Sequence, residues 1–199
     1  MSFPCLKEVI TVLPYPIVPL DKKIWKGHPL PIAYTTNTYY DVSVARTDVG
    51  FTVNMVLTDC SDHPITHTAE EYDFPDKLYE DYRPDARAFG MIDENGALIA
   101  AIEIETEGWS NRLRVHELWI DDRYHRRGFG KALMNLAKDE ARKNGNRMVM
   151  LETQSCNTNA IGFYLHEGFT LIGFDACCYA NNDLERKEVR IELGWDPTI

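Results

Sequence analysis

Residues 118–131 read LWIDDRYHRRGFGK and contain the stretch that decides the fold: an apolar strand, a glycine loop and the start of a helix. Gly128 and Gly130 let several backbone N–H groups converge at a helix N-terminus, where the helix dipole also favours an anion. Glycine allows the main chain to approach a ligand without an intervening Cβ. Three basic side chains add positive charge: Arg126, Arg127 and Lys131. The loop therefore predicts a pyrophosphate site.

The sequences of two common nucleotide-binding loops differ from this stretch. A Walker loop requires Ser or Thr directly after Gly-Lys, but Ala132 follows Lys131 here. A dinucleotide-binding fingerprint requires a third small residue at the position that Leu133 occupies. The sequence therefore disfavours both nucleotide-binding loops.

The segments around the loop alternate between strand and helix patterns. An Asn-Gly step in Asp93-Glu94-Asn95-Gly96 joins two apolar runs and predicts an antiparallel hairpin. The predicted strands cover residues 86–92, 97–105, 112–120, 147–152, 169–179 and 188–195. The predicted helices cover residues 131–144, which Gly145 ends as a C′ glycine, and residues 158–166. This order predicts an α/β protein with a mixed sheet.

The chain before residue 86 has weaker patterns. Repeated prolines in residues 1–38 prevent long helices and central strands, so we expect an arm packed on a domain of residues 39–199. Residues 40–57 predict one bent strand or two short ones, and residues 59–64 a turn. Residues 68–82 predict a helix that is broken near its proline.

The composition is typical of one folded domain. The 199 residues are 44% hydrophobic and 26% charged. The net charge of -10 disfavours a nucleic-acid partner, because duplex binding needs Lys and Arg at the phosphates, and makes a cationic small molecule more natural. No signal peptide or long apolar run indicates secretion or membrane insertion. Five cysteines without a Cys-x-x-Cys pair favour a reducing cytoplasm.

Cysteine and histidine side chains do not predict a metal centre. Cys60, His63 and His67 have a spacing that a metal could use, but a fourth ligand is missing. Cys156 and the pair Cys177-Cys178, which falls on a predicted strand, are expected to be packing thiols without a reactive role.

A second motif follows the first predicted helix: Asn157-x-x-Ala160-x-x-x-Tyr164-x-x-x-Gly168-Phe169. Together with the loop His125-Arg126-Arg127-Gly128-Phe129-Gly130, it resembles the GNAT superfamily of N-acetyltransferases. The two motifs span residues 118–170, and the strand order allows the resemblance to extend over residues 39–195. A narrower similarity, to streptothricin acetyltransferases, rests on Trp109, residues 115–130, Leu151-Glu152-Thr153-Gln154, Phe163-Tyr164 and Tyr179-Ala180-Asn181.

The resemblance implies an α/β fold with a GNAT-type mixed, mostly antiparallel twisted sheet flanked by helices. It also implies acetyl-coenzyme A as the cosubstrate and no metal. The residues that would bind the coenzyme are Leu118, Ile120, His125, Arg126, Arg127, Gly128, Phe129, Gly130, Lys131, Asn157, Ala160 and Tyr164. The family usually has Gln or Arg at the first loop position, so His125 weakens one side-chain contact but leaves the backbone cradle unchanged.

An amine acceptor must lose a proton before it attacks, since an amine with a pKa of about 10.4 is neutral in about one molecule in 2,500 at pH 7. His116 and Glu117 are the candidate bases, and as strand neighbours they are expected to point to opposite faces. His116 titrates nearest neutrality. The narrower family has two acidic residues here, which slightly favours Glu117 and leaves the choice open. Tyr164, the family's motif tyrosine, would donate a proton to the leaving thiolate.

The acceptor is the least constrained part of the hypothesis. The leading candidate is a primary amine of a cationic compound such as streptothricin, which would make the protein an antibiotic-resistance enzyme. A general amine or protein N-acetyltransferase of the same fold is the alternative, because acceptor loops vary more than coenzyme sites. A non-catalytic acyl-coenzyme A-binding module would have no use for Tyr164. The sequence is compatible with a homodimer and does not define the oligomeric state.

Overall fold

The computed structural model describes residues 13–69 and 76–198. Its strands are β1 (Val18–Leu20), β2 (Tyr34–Thr36), β3 (Thr38–Thr47), β4 (Gly50–Asp59), β5 (Ile65–His67), β6 (Arg87–Ile92), β7 (Leu98–Glu107), β8 (Arg112–Ile120), β9 (Met148–Gln154), β10 (Thr170–Asp175) and β11 (Arg190–Trp195). Its helices are α1 (Lys22–Trp25), α2 (Phe129–Asn144), α3 (Thr158–His166) and α4 (Asp183–Arg186). Within these ranges no helix is long and apolar enough to cross a membrane.

A seven-stranded sheet organises the protein, in the order β1-β6-β7-β8-β9-β11-β10. Its strands pair antiparallel except for β8 and β9, which are parallel. The long helix α2 packs on β7, β8 and β9 through an apolar stripe at helical spacing. That stripe consists of Leu133, Met134, Ala137 and Ala141, all fully buried. The mixed, mostly antiparallel sheet flanked by helices confirms the predicted fold class.

The parallel pair separates along its length. β8 and β9 are paired only from Arg112 opposite Met148 to Arg114 opposite Met150. Beyond that point both strands continue, β8 to Ile120 and β9 to Gln154, without pairing with each other. The sheet therefore has a gap beside the C-terminal half of β8, where the glycine loop follows.

Local sequence signals predicted the central elements. The Asn-Gly step joins β6 and β7 as an antiparallel hairpin, and Gly145 ends α2 with a φ of 66°. Residues 40–57 are not short strands, however. β3 and β4 are two ten-residue strands in a hairpin, and Gly50 begins β4 instead of bending one strand.

The predicted helix over residues 68–82 is wrong where the structure describes it, and residues 70–75 lie outside the described residues. Residues 76–82 form turns and an isolated bridge between Pro29 and Lys77. Backbone hydrogen bonds join this segment to residues 27–30: Leu30 N–H donates to Asp76 O, and Leu78 N–H donates to His28 O. These long-range bonds replace the helical ones, since tertiary contacts override local propensity.

Two further differences concern the chain ends. The strand predicted to reach residue 179 ends at Asp175, so Cys177 and Cys178 lie in a turn, where the Asp175 carboxylate accepts a hydrogen bond from Cys177 N–H. In the proline-rich segment, β1 is an edge strand paired with β6, a position that tolerates Pro19 because its missing N–H costs the sheet nothing.

Candidate active site

A β-bulge in β8 places the two candidate bases. Glu117 lies opposite Glu103 of β7, and Val115 lies opposite Ile104, so His116 is an extra residue in the ladder. As a result His116 contacts Glu105, while Glu117 and Glu103 share an arginine partner. Glu103 and Glu105 are two positions apart on β7 and therefore lie on one face. The prediction that His116 and Glu117 point to opposite faces is wrong, because the bulge breaks the alternation.

The glycine loop connects β8 to α2 and exposes backbone donors. A short 3-10 helix, Asp122–Tyr124, begins the loop, and Asp121 caps it by accepting from Arg123 N–H at 3.0 Å. Arg126 and Gly128 then adopt left-handed conformations with φ of 59° and 87°. Gly128 is the N-cap of α2 and offers no side-chain acceptor. The N–H groups of the first helical turn consequently lack intrahelical partners and converge at the dipole's positive end.

The second glycine has a packing role as well. A Cβ on Gly130 would lie 3.4 Å from both Ile120 Cδ1 and Phe163 Cζ, at the lower limit of ordinary van der Waals contact. Gly130 therefore allows α2 to sit close to β8 and α3. Phe129 is 2% exposed and its ring contacts the aromatic core, so only its backbone N–H can serve a ligand.

Polar side chains of the loop divide into two groups. Arg126, Arg127 and Lys131 are exposed, and none is ion-paired with a carboxylate in the part of the chain that the structure describes. Arg127 stacks over the Tyr124 ring at 5.5 Å. His125, in contrast, donates from Nε2 to the Ile120 carbonyl at 2.9 Å and so occupies a backbone acceptor at the end of β8.

A cavity of about 390 Å³ lies beside this loop. Its lining includes Tyr15, Arg123, Tyr124 and Arg127. The N-terminal segment supplies one wall, because Tyr15 packs edge-on against Tyr124 with ring centroids 6.1 Å apart. Basic and aromatic groups therefore surround an open space next to the predicted anion site.

The second motif builds α3. Asn157 is its N-cap, and the side-chain Oδ1 accepts from Ala160 N–H at 3.2 Å. The Asn157 carbonyl also accepts from Ile161 N–H at 3.0 Å. Through these two bonds Asn157 positions the first turn of α3.

Tyr164 of α3 is buried at 8% exposure between two aromatic rings. Its ring centroid is 5.4 Å from that of Phe163 and 6.1 Å from that of Phe169. Burial raises the pKa of Tyr164 well above its ordinary value, and the negative charge of Glu117 raises it further. The phenol is therefore protonated at neutral pH and lies within electrostatic reach of Glu117.

Glu117 combines burial with an ion pair. It is 6% exposed, and its Oε1 accepts from Arg83 Nη1 at 2.7 Å. Burial raises the pKa of Glu117 to about 8 and repulsion by Asp76 adds to the rise, while Arg83 opposes it. A carboxylate with a pKa near neutrality can accept a proton in the reaction and release it afterwards.

His116 is the weaker base of the two. Its Nε2 lies 3.0 Å from Glu105 Oε2. Burial lowers the pKa of His116 to about 4, the positive charge of Arg83 lowers it as well, and Glu105 opposes both. The imidazole is neutral at pH 7, and its low affinity for a proton makes it a poor acceptor of an amine proton.

The sequence did not single out Arg83, Asp76 or Glu103, the groups that surround Glu117. Neither motif includes them, and Glu103 reaches Glu117 only through strand pairing. One signal was available in the sequence: Glu103 is a charged residue within the otherwise apolar run 98–104. A charged side chain that is buried there needs a partner of opposite charge.

Cys156 belongs to a separate buried cluster. Its Sγ lies 3.3 Å from the Tyr34 hydroxyl and 3.6 Å from His67 Nε2, and burial raises the pKa of the thiol to about 11. His67 Nε2 is also 3.5 Å from Glu188 Oε1. Among residues 13–69 and 76–198, no group of three His, Cys, Asp or Glu side chains is arranged to hold a metal ion.

A sheet whose parallel strands β8 and β9 separate, followed by a glycine loop with exposed backbone donors at the start of α2, is the arrangement that the sequence predicts for the class of acyltransferases. The chain belongs to the acetyltransferase (GNAT) family, whose model matches residues 55–169. It is therefore an acetyl-coenzyme A-dependent N-acetyltransferase. This assignment excludes the alternative of a non-catalytic binding module.

Two relatives narrow the comparison. The chain is 28% identical over 154 residues to the streptothricin acetyltransferase of Streptomyces lavendulae, covering 74% of this chain and 76% of the relative. It is 26% identical over 126 residues to streptothricin acetyltransferase A of Bacillus subtilis (strain 168), covering 58% and 71%.

Solved structures extend the similarity over nearly the whole chain. A nourseothricin acetyltransferase superposes with a TM-score of 0.68 at 28% identity and covers 92% of this chain and 98% of its own. A Bacillus anthracis protein, solved in complex with acetyl-coenzyme A, superposes with a TM-score of 0.67 at 22% identity, covering 92% and 97%. The second likeness shows the shared fold.

Proposed function

We propose that the enzyme transfers the acetyl group of acetyl-coenzyme A to a primary amine of a multiply cationic small molecule of the streptothricin type. The observation that carries the proposal is that the protonated Tyr164 lies within electrostatic reach of the buried carboxyl of Glu117, a residue on the half of β8 that is not paired with β9. The similarity to streptothricin acetyltransferases supports the acceptor class. The net charge of -10 favours a cationic ligand as well.

The glycine loop would hold the coenzyme's pyrophosphate. Backbone N–H groups from Gly128 to Lys131 face the N-terminal end of α2, and the exposed Arg126 and Arg127 add charge. Backbone groups of Leu118 and Ile120 would line the pantetheine arm in the gap. The Ile120 carbonyl already accepts from His125, so the coenzyme would have to share or replace that hydrogen bond.

Glu117 would act as the general base. In its ionised form it removes a proton from the ammonium group of the acceptor, and the neutral amine then attacks the thioester carbonyl. The amine has a pKa of about 10.4. The pKa of a base near 8 is closer to this value than the pKa of an ordinary carboxylate, so proton transfer from the ammonium group is less unfavourable.

Tyr164 would act as the general acid when the coenzyme leaves. Its phenol donates a proton to the thiolate as the carbon–sulfur bond breaks, and the resulting phenolate accepts the proton that the acetylated nitrogen loses to become a neutral amide. The hydroxyl has no hydrogen-bond partner within residues 13–69 and 76–198, so its proton is available to a ligand. Phe163 and Phe169 fix the ring on both sides, which limits the entropy lost in aligning the donor.

A thiol-release assay tests the proposal. Purified enzyme and acetyl-coenzyme A are mixed with streptothricin, a linear polyamine, a neutral amine or a peptide with a free N-terminus. We expect the fastest release with streptothricin, and we expect expression of the enzyme to protect bacteria from that antibiotic. Faster release with the peptide or the polyamine would favour a general amine or protein N-acetyltransferase and would overturn the proposed acceptor.

A further inference from the structure

Arg83 is a buried cation that the family motifs do not include. Its side chain is 12% exposed, and a single nitrogen, Nη1, lies 2.7 Å from Glu117 Oε1 and 3.0 Å from Glu103 Oε1. Glu103 is fully buried and Glu117 nearly so. One guanidinium therefore connects the candidate base on β8 to a second carboxylate on β7.

The bridge is anchored from several directions. Glu103 also accepts from Tyr79 N–H at 2.5 Å through its other oxygen, so its carboxylate is fixed at both ends. Tyr79 in turn donates from its hydroxyl to Leu20 O of β1 and accepts from Ala88 N–H of β6 at 2.9 Å. The segment that carries Arg83 is thus tied to the edge of the main sheet.

The charges around this bridge do not balance. Asp76 of the same loop is exposed, and partial desolvation raises the pKa of its carboxyl. Two buried carboxyl groups, those of Glu103 and Glu117, share the one guanidinium of Arg83, while Asp76 acts on Glu117 only through its charge. A buried cluster in which acids outnumber the cation favours holding one acid neutral, and Glu117 lies on the half of β8 that is not paired with β9.

We propose that Arg83 is a positioning residue for acetyl transfer: by bridging Glu103 and Glu117 it fixes the Glu117 carboxylate beside the gap and, with Asp76, sets the pH range in which Glu117 takes the acceptor's proton. The inference rests on the proposed function, in which Glu117 is the base. The charged or titratable groups that face Glu117 are Arg83 and Asp76 of the loop, Glu103 of β7 and Tyr164 of α3.

Replacing Arg83 or Asp76 is expected to shift the titration of Glu117 in opposite directions. Arg83 stabilises the charged form of Glu117 and Asp76 opposes it. Arg83→Met should therefore move the midpoint of the Glu117 titration upward by about one pH unit or more, and Asp76→Asn should move it downward. Arg83→Lys keeps a cation within reach of both carboxylates and should return the midpoint close to that of the parent. A merely structural arginine would produce no such pair of opposite shifts.

Two measurements test the proposal on the full-length enzyme. The first is the pH profile of kcat/KM with streptothricin from about pH 6 to about pH 10. The second is carbon-13 NMR of the glutamate carboxyl groups, with Glu117 assigned by its loss in Glu117→Gln. Arg87→Met is the matched control, since Arg87 forms an ion pair with Glu140 on α2 at 2.6 Å, away from Glu117, and its removal should leave both midpoints unchanged.

Each outcome decides the matter. Opposite shifts in Arg83→Met and Asp76→Asn, with coenzyme binding retained, support the positioning role. If the midpoints of Arg83→Met and Asp76→Asn equal that of the parent, the positioning role is overturned. If Glu117→Gln at the same time loses the pH dependence of kcat/KM, the proposed function of Glu117 as the base is retained. If streptothricin is not acetylated, the acceptor is wrong and the carboxyl titration alone decides whether the bridge controls Glu117. If Arg83→Met fails to fold, a downward shift in Asp76→Asn together with a parent-like midpoint in Arg83→Lys supports the role, and an unchanged midpoint in Asp76→Asn overturns it.

Discussion

At the scale of single residues, the proposed acid Tyr164 and the proposed base Glu117 occupy environments that suit opposite roles. Both are buried, and burial favours the neutral form of each acid. The phenol keeps its proton, whereas the carboxyl titrates close to neutral pH. This difference in protonation is the reason for proposing Tyr164 as the proton donor and Glu117 as the proton acceptor.

The Tyr164 hydroxyl is tested by Tyr164→Phe. We expect turnover to fall by about a hundredfold or more, the usual effect of a lost general acid, while acetyl-coenzyme A binding stays nearly unchanged. Phe retains the ring packing, so stability should change by at most about 1.5 kcal/mol. Steady-state kinetics and ligand-induced thermal shift measure the two effects. Tyr39→Phe, a buried tyrosine elsewhere, is the control. Turnover within threefold of the parent would exclude Tyr164 as the acid.

The buried carboxyl of Glu117 also predicts a pH dependence of stability. Its pKa is about 8 in the folded protein against an ordinary 4.5, so folding takes up a proton between those values. The contribution is therefore present below about pH 4.5 and is lost as pH rises toward 8. Glu117→Gln should flatten the decline of Tm over this range. An equally steep decline in the variant would contradict the assignment.

At the scale of elements, the loop between β8 and α2 can be tested without any acceptor. Acetyl-coenzyme A should raise the Tm, and Gly128→Asp should abolish that rise, because a carboxylate would enter the anion site at a position with φ of 87°. Gly96→Asp is a matched control, since Gly96 has a φ of 82° in a surface turn away from the loop. If acetyl-coenzyme A still raised the Tm of Gly128→Asp, the proposed pyrophosphate site at the start of α2 would be contradicted.

Sequence patterns predicted the elements whose signals are local. The hairpin of β6 and β7 follows from Asn95-Gly96, and the helix predicted over residues 158–166 is α3. The bulge at His116 could not be predicted, because its position depends on pairing with β7. The turns around Leu78 likewise depend on hydrogen bonds to residues 27–30, which are distant in sequence. The candidate acid and base could therefore be named from the sequence, but not Arg83 and Glu103, which lie around the candidate base.

At the scale of the whole molecule, net charge favours the proposed acceptor. A charge of -10 attracts multiply cationic amines over distances that salt shortens, since the Debye length falls to about 8 Å at physiological ionic strength. We expect the KM for streptothricin to rise with salt while kcat changes little. Kinetics in a salt series measure both. Equal KM values at low and high salt, or equal rates with neutral amines, would count against electrostatic selection.

The central claim, transfer of one acetyl group to an amine of a cationic antibiotic, is tested most directly by mass spectrometry. Streptothricin is incubated with the enzyme and acetyl-coenzyme A, and the product is analysed beside the free thiol. The account predicts a monoacetylated antibiotic, modified at a primary amine, in amounts equal to the thiol released. Tight binding of acetyl-coenzyme A with no acetylated streptothricin would contradict it.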